Sequence, residues 1–99
     1  MVLDVNAEAV AGSAVNEGAI SAEIGAATAA ASAAVTCALP MGADLDSVAF
    51  AAALNTAGAS YIGAATQHLS GRAAFVEAQD VAAMTYTALD VVNNTALAL

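Results

Sequence analysis

Few side chains in this sequence are of the types that carry out catalysis or bind metals, and their spacing fits no such site. The segment from Gly58 to Gly63 reads Gly-Ala-Ser-Tyr-Ile-Gly, which is close to the Gly-x-Ser-x-Gly turn of serine hydrolases. That motif needs its second glycine one position earlier and a strand-to-helix turn. His68 is the only histidine, so the histidine pairs of zinc sites and the Glu-x-x-His motifs of di-iron bundles are missing. We therefore expect no catalytic residue.

The remaining reactive or charged side chains are also expected to be structural or solvated and not part of a functional site. Glu77 and Asp80 are one helical turn apart, but a single carboxylate pair on a helix surface is usually solvated and not bound to a cation. Cys37 is the only cysteine, so it cannot form an internal disulfide and is expected to be a small buried hydrophobic residue and not a nucleophile. Arg72, the only base, is expected to pair across the hairpin with Glu17 or with a neighbouring residue of the first arm. We predict no metal and no cofactor.

Composition and charge exclude several classes of function. The 99 residues are 61% hydrophobic, which predicts one folded domain and not a disordered chain. The net charge of -8 would repel a phosphate backbone, so no nucleic-acid partner is expected. Asp4 and Glu8 stand where a secretory signal carries basic residues, so we predict no cleavable signal peptide. The apolar run from Gly25 to Leu39 is rich in small residues and shorter than the roughly 20 of a membrane span, so we expect no integral membrane protein.

One strong break, between Leu39 and Ser47, divides the chain into two alanine-rich arms. Proline donates no amide hydrogen bond and disfavours helix in the residue before it, so Pro40 should end the first helix. Gly42 supplies a permissive backbone. Asp44 and Ser47 are good residues to cap the start of the next helix. We predict an inter-helix turn built by Pro40, Gly42, Asp44 and Ser47.

The arms on either side of this turn predict two long helices. We place helix 1 at about residues 7–38, with Asn6 as its cap, the turn at 39–46, and helix 2 at about 47–90. The β-branched and amide-rich sequence after Asp90 lowers helix propensity, so residues 91–99 are predicted to fray. The expected fold class is all-α, with two long antiparallel helices forming a hairpin.

Apolar residues of the second arm follow helical spacing and predict an interface. Two helices made largely of alanine bury little apolar area, so the hairpin should need a partner hairpin to complete a four-helix bundle. The residues predicted to form the hairpin and partner interface are Leu54, Tyr61, Ile62, Leu69 and Val76.

The turn also allows a different interpretation. Asp46-Ser47-Val48 is similar to the Asp-Ser-Leu segment of acyl carrier proteins, in which the serine carries a phosphopantetheine. The helix that follows this serine in carrier proteins is acidic, whereas alanines and Phe50 follow here. An acyl-carrier-like protein modified at Ser47 is therefore an alternative, and a capping role for Ser47 is the simpler interpretation.

Three segments together follow the order and spacing of a known family. The first is the run from Pro40 to Asp44 with Ser47 three residues on, the second is Gln-Asp-Val-Ala at 79–82, and the third is Tyr86 to Asp90. In this combination the chain resembles the PE family of mycobacterial proteins, and Tyr86 and Asp90 fit that family's Tyr-x-x-x-Asp/Glu secretion motif. One departure is that the Pro-Glu pair which names the family appears as Ala7-Glu8.

The resemblance implies a non-enzymatic protein that forms a heterodimer with a PPE protein. It implies synthesis in the cytoplasm, contact with a chaperone through the PPE partner, and export by a type VII (ESX) secretion system to the cell envelope or medium. Tyr86 and Asp90 would form the export signal. The chain has no tryptophan, and in related secreted hairpins the partner often carries the Trp-x-Gly motif, which favours a heterodimer. A homodimeric type VII secreted hairpin is the alternative.

Overall fold

Two long helices form a hairpin in the computed structural model, which describes residues 3–98. Helix α1 runs Ala7–Thr36 and helix α2 runs Leu45–Leu97, joined by residues 37–44. No strand occurs in the described part of the chain. The prediction of an all-α fold with two long antiparallel helices is confirmed.

Helix α1 begins where a side chain can satisfy its free amides. The Asn6 side-chain oxygen accepts a hydrogen bond from the Ala9 amide at 3.0 Å, as predicted for a helix cap. The helix ends at Thr36, two residues before the predicted limit. Its end is held from the other arm, because the Ala38 amide donates to the Asn55 side chain at 2.6 Å and the Asn55 amide group donates to the Ala38 carbonyl at 3.1 Å.

Helix α2 starts at Leu45, two residues before the predicted limit, because Asp44 and not Ser47 caps it. The Asp44 carboxylate accepts the Ser47 amide at 2.9 Å and the Ser47 hydroxyl at 2.8 Å. These bonds hold the pKa of Asp44 below its ordinary value. The carboxylate also lies at the positive end of the helix dipole, which favours its charge.

Gly42 does not supply the unusual backbone expected of it. Within residues 3–98 no glycine has a positive φ angle. A Cβ atom added at Gly42 would instead come 2.8 Å from the Asp44 carboxylate. Glycine at this position therefore leaves room for the capping side chain.

The predicted frayed tail after Asp90 is wrong for the residues that the structure describes. Helix α2 continues to Leu97; Leu99 lies outside the described residues. No glycine or proline follows Gly71, and valine costs a helix only a few tenths of a kcal/mol per residue, up to about 0.7. The Thr95 hydroxyl also bonds the Val91 carbonyl at 2.8 Å, which leaves the helix with no local reason to stop.

Contacts divide the chain into two units, which we describe separately. In the turn unit, Ala22–Ser70, Ala38 contacts Asn55, Val35 lies against Gly58, and Gly25 is near Leu69. In the terminal unit, residues 3–21 with 71–98, Glu17 and Ser21 bond Arg72, and Ser13 bonds Gln79. In each unit the partners' numbers run in opposite directions, as antiparallel helices require.

Very little of either unit is buried. Among the residues described, only Ala14, Ala51 and Ala83 are buried apolar residues. An alanine side chain removes little apolar area from water, so these contacts contribute little free energy of folding. The helices therefore keep most of their large apolar side chains on the surface.

Both helices also pass a length and composition test for membrane spans. Each contains a stretch with mean hydropathy 1.3, and little or none of that stretch is buried. Length and composition by themselves do not establish a membrane span, and the prediction that the chain is not an integral membrane protein stays a prediction.

Candidate protein-binding surface

One line of residues along α2 faces α1. From residue 51 to residue 83, all residues of α2 that are buried or half-buried, apart from Ala82, recur in alternating steps of four and three. Such spacing keeps one seam of a helix against a neighbour. We call it the inner line, and it consists of Ala51, Asn55, Gly58, Ile62, Ala65, Leu69, Arg72, Val76, Gln79 and Ala83.

Polar members of the inner line bind the first arm directly. Arg72 donates to the Ser21 hydroxyl at 2.9 Å and to the Glu17 carboxylate, so the predicted pairing with Glu17 is confirmed. Gln79 donates to the Ser13 hydroxyl at 3.0 Å. Polar pairs at fixed levels oppose sliding of one helix along the other, because a shifted register would leave these groups without partners.

Gly58 brings the two helices into closest contact in the turn unit. A Cβ atom added there would overlap the backbone carbonyl of Val35. Backbone cannot move aside as a side-chain tip can. Glycine at position 58 is therefore a requirement of packing, and the same test finds open space at Gly63.

A second, largely apolar line of residues on α2 is left uncovered by residues 3–98. Up to Ala82 each member precedes an inner-line residue by one position, which rotates it about 100° around the helix. The last three members precede Tyr86, Asp90 and Asn93, which continue the inner line's spacing. All members except Ala82 are exposed, and none is an acid or a base of the Arg or Lys type. We call it the outer line, and it consists of Phe50, Leu54, Ala57, Tyr61, Ala64, His68, Gly71, Phe75, Ala78, Ala82, Thr85, Leu89 and Val92.

The outer line carries most of the aromatic rings. Phe50 is 61% exposed, Tyr61 62% and Phe75 53%. Thr85 adds little polarity, because its hydroxyl is already bonded to the Val81 carbonyl at 2.8 Å. Long apolar surfaces of this kind mark interaction sites in soluble proteins.

Two grooves in the turn unit begin at the outer line. One, of about 370 Å³, lies between α1 and α2 and is lined by Ala34, Val35, Ala38, Leu54, Ala57, Gly58 and Tyr61. The other, of about 310 Å³, lies at the turn beside Leu39, Met41 and Phe50. Leu39 and Met41 are 85% and 95% exposed. Both grooves are lined mainly by small and apolar residues, and each has room for an apolar side chain of another molecule.

The terminal unit has an apolar groove of its own. It measures about 580 Å³ and is lined by Ala7, Glu8, Ala11, Ala83, Met84, Thr87, Ala88 and Val91. Met84 is 64% exposed, and methionine adapts readily to differently shaped partners.

The structure divides the predicted interface residues between the two lines. Ile62, Leu69 and Val76 belong to the inner line and are half-buried against the first arm, whereas Leu54 and Tyr61 belong to the outer line and are exposed. The first three are placed to hold the hairpin, and the other two are free to contact another molecule. The assignment of all five to an interface with a partner stays a prediction.

Tyr86 and Asp90 lie where α2 passes the start of α1. They continue the spacing of the inner line beyond Ala83. Together with Leu3, Asp4, Val5, Leu89 and Asn93 they line a cavity of about 230 Å³. The segment before α1 therefore lies beside both residues, a proximity that sequence spacing alone does not reveal.

The hydrogen bonds in the turn and the arrangement of the acidic side chains fit structural roles. The amide and hydroxyl of Ser47 are both bonded to Asp44, so this hydroxyl serves the helix start. In residues 3–98 no group of three or more His, Cys, Asp or Glu side chains could hold a metal ion. The expectation that Cys37 is buried is wrong: the residue follows the end of α1 and is exposed, with its sulfur 3.8 Å from the Thr36 hydroxyl.

The position of Ala7 explains how the chain tolerates its departure from the Pro-Glu pair. Ala7 is the first residue of α1 and follows the capping residue Asn6. Proline favours this position because its missing amide would be unpaired there anyway. Alanine is also a good helix former, and Glu8 keeps a negative charge in the first turn, so the helix start is preserved.

Comparison with known proteins gives one family. The model of the PE family matches residues 3–93, which is nearly the whole chain. No curated protein and no solved structure matches the sequence significantly. The family match covers α1, the turn and α2 as far as residue 93, which includes the segment with Tyr86 and Asp90. The chain therefore belongs to the PE family.

Proposed function

We propose that this chain is a non-enzymatic secreted protein that forms a four-helix bundle with a PPE protein and leaves the cell by a type VII system. PE proteins in general are secreted in this way and pair with PPE partners. The observation that carries the proposal for this chain is the exposed outer line of α2. A partner's helices would cover it and complete the bundle.

The energetics support a partner that covers the outer line. Full burial of one large apolar side chain stabilises an assembly by about 1.5 to 3 kcal/mol. Five large side chains of the outer line are between 45% and 62% exposed: Phe50, Leu54, Tyr61, Phe75 and Leu89. A partner can therefore gain this stabilisation from several side chains. The three buried alanines inside the hairpin provide far less.

Charge argues for a different chain in preference to a second copy. One copy carries a net charge of -8, so a homodimer would bring two strongly acidic chains together. The only arginine is already paired with Glu17 and is not free to neutralise a second copy. A partner of neutral or basic character avoids this repulsion.

The assembly can be tested by co-expression with the PPE protein encoded beside this chain. Tyr61→Asp would place a carboxylate in the covered outer line, where an unpaired charge is costly, and co-purification should fall at least tenfold. Thr66→Asp is the matched control, because Thr66 is exposed on the opposite side of α2 and should be tolerated.

Other outcomes would point elsewhere. Equal loss from both substitutions would mean that the outer line is not the interface. A stable homodimer of the chain alone, measured by light scattering, would favour the homodimeric hairpin. Recovery of the wild-type chain in the detergent-extracted membrane fraction, with or without the PPE protein, would mean that lipid covers the apolar surface.

Export is proposed to depend on Tyr86 and Asp90, the residues that fit the family's secretion motif. The complex would be made in the cytoplasm, contacted by a chaperone through the PPE partner, and delivered to the envelope or medium. Tyr86→Ala and Asp90→Asn should leave co-purification with the partner intact while the complex accumulates in the cytoplasm. If both variants assemble and are exported at wild-type levels, the export role is wrong.

A further inference from the structure

His68 carries a polar group in the middle of the outer line that has no partner in residues 3–98. The other members are apolar or glycine, apart from Thr85, whose hydroxyl is bonded within α2, and Tyr61, whose hydroxyl stands at the tip of the side chain, where it can stay in water while the ring is covered. His68 is exposed and makes no hydrogen bond or ion pair with any of residues 3–98. In the free chain, water can satisfy the ring.

His68 lies on the same side of the helix as two large members of the outer line in the turn unit. It continues the seven-residue spacing of Leu54 and Tyr61. A helix that covers these neighbours must also cover the imidazole. In both protonation states an imidazole carries at least one N–H donor. Burial without an acceptor would leave that donor unsatisfied.

We infer that His68 determines partner specificity, and that the partner's helix presents a hydrogen-bond acceptor at its level. The inference rests on the proposed function, because it requires that a partner helix covers the outer line. The acceptor is a side-chain oxygen of the partner. A single polar contact in an otherwise apolar seam fixes the register of two helices, because every shifted alignment buries the polar group without its partner. His68 thereby selects one alignment and rejects partners without the acceptor.

The test measures the affinity of the full chain for its PPE partner by titration calorimetry. His68→Leu should weaken binding about tenfold, which corresponds to about 1.4 kcal/mol, because the partner's acceptor loses its donor. His68→Gln retains an N–H donor and should bind within about threefold of wild type. Ser70→Leu is the matched control, since Ser70 is exposed two residues away and off the outer line, and should bind as wild type.

The alternative results separate this inference from the proposed function. If Tyr61→Asp abolishes binding while His68→Leu binds as tightly as wild type or more tightly, the outer line is the interface but His68 has no acceptor, and the inference is wrong. Equal losses from His68→Leu and His68→Gln would show that the ring acts by shape, which also overturns it. If Tyr61→Asp has no effect, the proposed surface itself is wrong. Circular dichroism of each variant establishes that the helices are retained.

Discussion

At the scale of residues, Asn55 is the functional residue that sequence reasoning missed. Its side chain both accepts from and donates to the backbone of Ala38, so it closes the end of α1 from the opposite helix. The signal in the sequence is an asparagine inside an alanine-rich helix, where it has poor propensity. Such a residue needs a tertiary reason, and the end of α1 provides it.

We expect Asn55→Ala to destabilise the hairpin by about 1 to 3 kcal/mol, because it leaves a partly buried amide and carbonyl of Ala38 without partners. Thr56→Ala is the matched control. The Thr56 hydroxyl bonds only the Ala52 carbonyl of its own helix, on an exposed surface, and its loss should change stability by no more than about 0.5 kcal/mol. Urea denaturation of the chain purified with its partner measures both. Similar effects of the two substitutions would contradict the capping role.

Asp44 predicts a pH dependence at the start of α2. Hydrogen bonds from the Ser47 amide and hydroxyl hold the pKa of Asp44 below its ordinary value of 3.8. A carboxyl group with a lower pKa in the folded chain stabilises the fold above its unfolded pKa, and this contribution is lost as pH falls toward the folded pKa. We expect the first turn of α2 to loosen below about pH 4.

Asp44→Asn should remove this part of the pH dependence, because an amide still accepts a hydrogen bond but does not titrate in this range. Carbon chemical shifts of residues 45–48, followed by NMR from about pH 6 to about pH 3, report the helix start directly. Identical titration of these shifts in wild type and variant would show that Asp44 is not responsible.

At the scale of elements, α2 has two adjacent lines of mainly apolar residues with different surroundings. The inner line packs on the first arm and tolerates only small residues at some positions, whereas the outer line is open. A glycine on the inner line and an exposed glycine away from it should therefore respond oppositely to the same substitution.

Gly58→Ala is expected to destabilise the hairpin by about 1 to 3 kcal/mol, because the new methyl group overlaps the Val35 carbonyl and must push the helices apart. Gly63→Ala should stabilise it by up to about 1 kcal/mol, since open space surrounds this position and alanine is the better helix former. Thermal denaturation followed by circular dichroism compares them. A stabilising Gly58→Ala would mean that the helices do not approach closely there.

At the scale of the whole molecule, the two helices bury almost no large apolar side chain between them. Its buried apolar residues are alanines, and its large apolar residues are mostly exposed. Stability of such a protein is inseparable from the molecule that covers it.

Expressed alone, the chain should be poorly soluble and only partly helical, because apolar surface remains in contact with water. Adding the partner should raise helicity and melting temperature together. Circular dichroism and sedimentation velocity, with and without the partner, measure these changes. A monodisperse monomer with a sharp thermal transition would contradict the expectation.

The sequence by itself determined the features that depend on local chemistry. Pro40 predicted the break between the helices, Asn6 and Asp44 were recognised as capping residues, and the single base Arg72 was expected to pair with Glu17 or a neighbour of it on the first arm. The spacing of Tyr86 and Asp90 likewise belonged to the family resemblance that the match over residues 3–93 confirmed. Each depends on a few neighbouring residues or on a unique residue type.

Only the tertiary structure decided which apolar line faces α1. Tyr61 and Ile62 are adjacent in sequence and both apolar, yet one is exposed and the other is half-buried against the first arm. One residue rotates a side chain by about 100° around a helix, and alanine-rich neighbours give the sequence no contrast between the two directions. The register of α1 against α2, fixed by contacts such as Gly58 with Val35 and Asn55 with Ala38, supplies that contrast, because these contacts join residues distant in the chain.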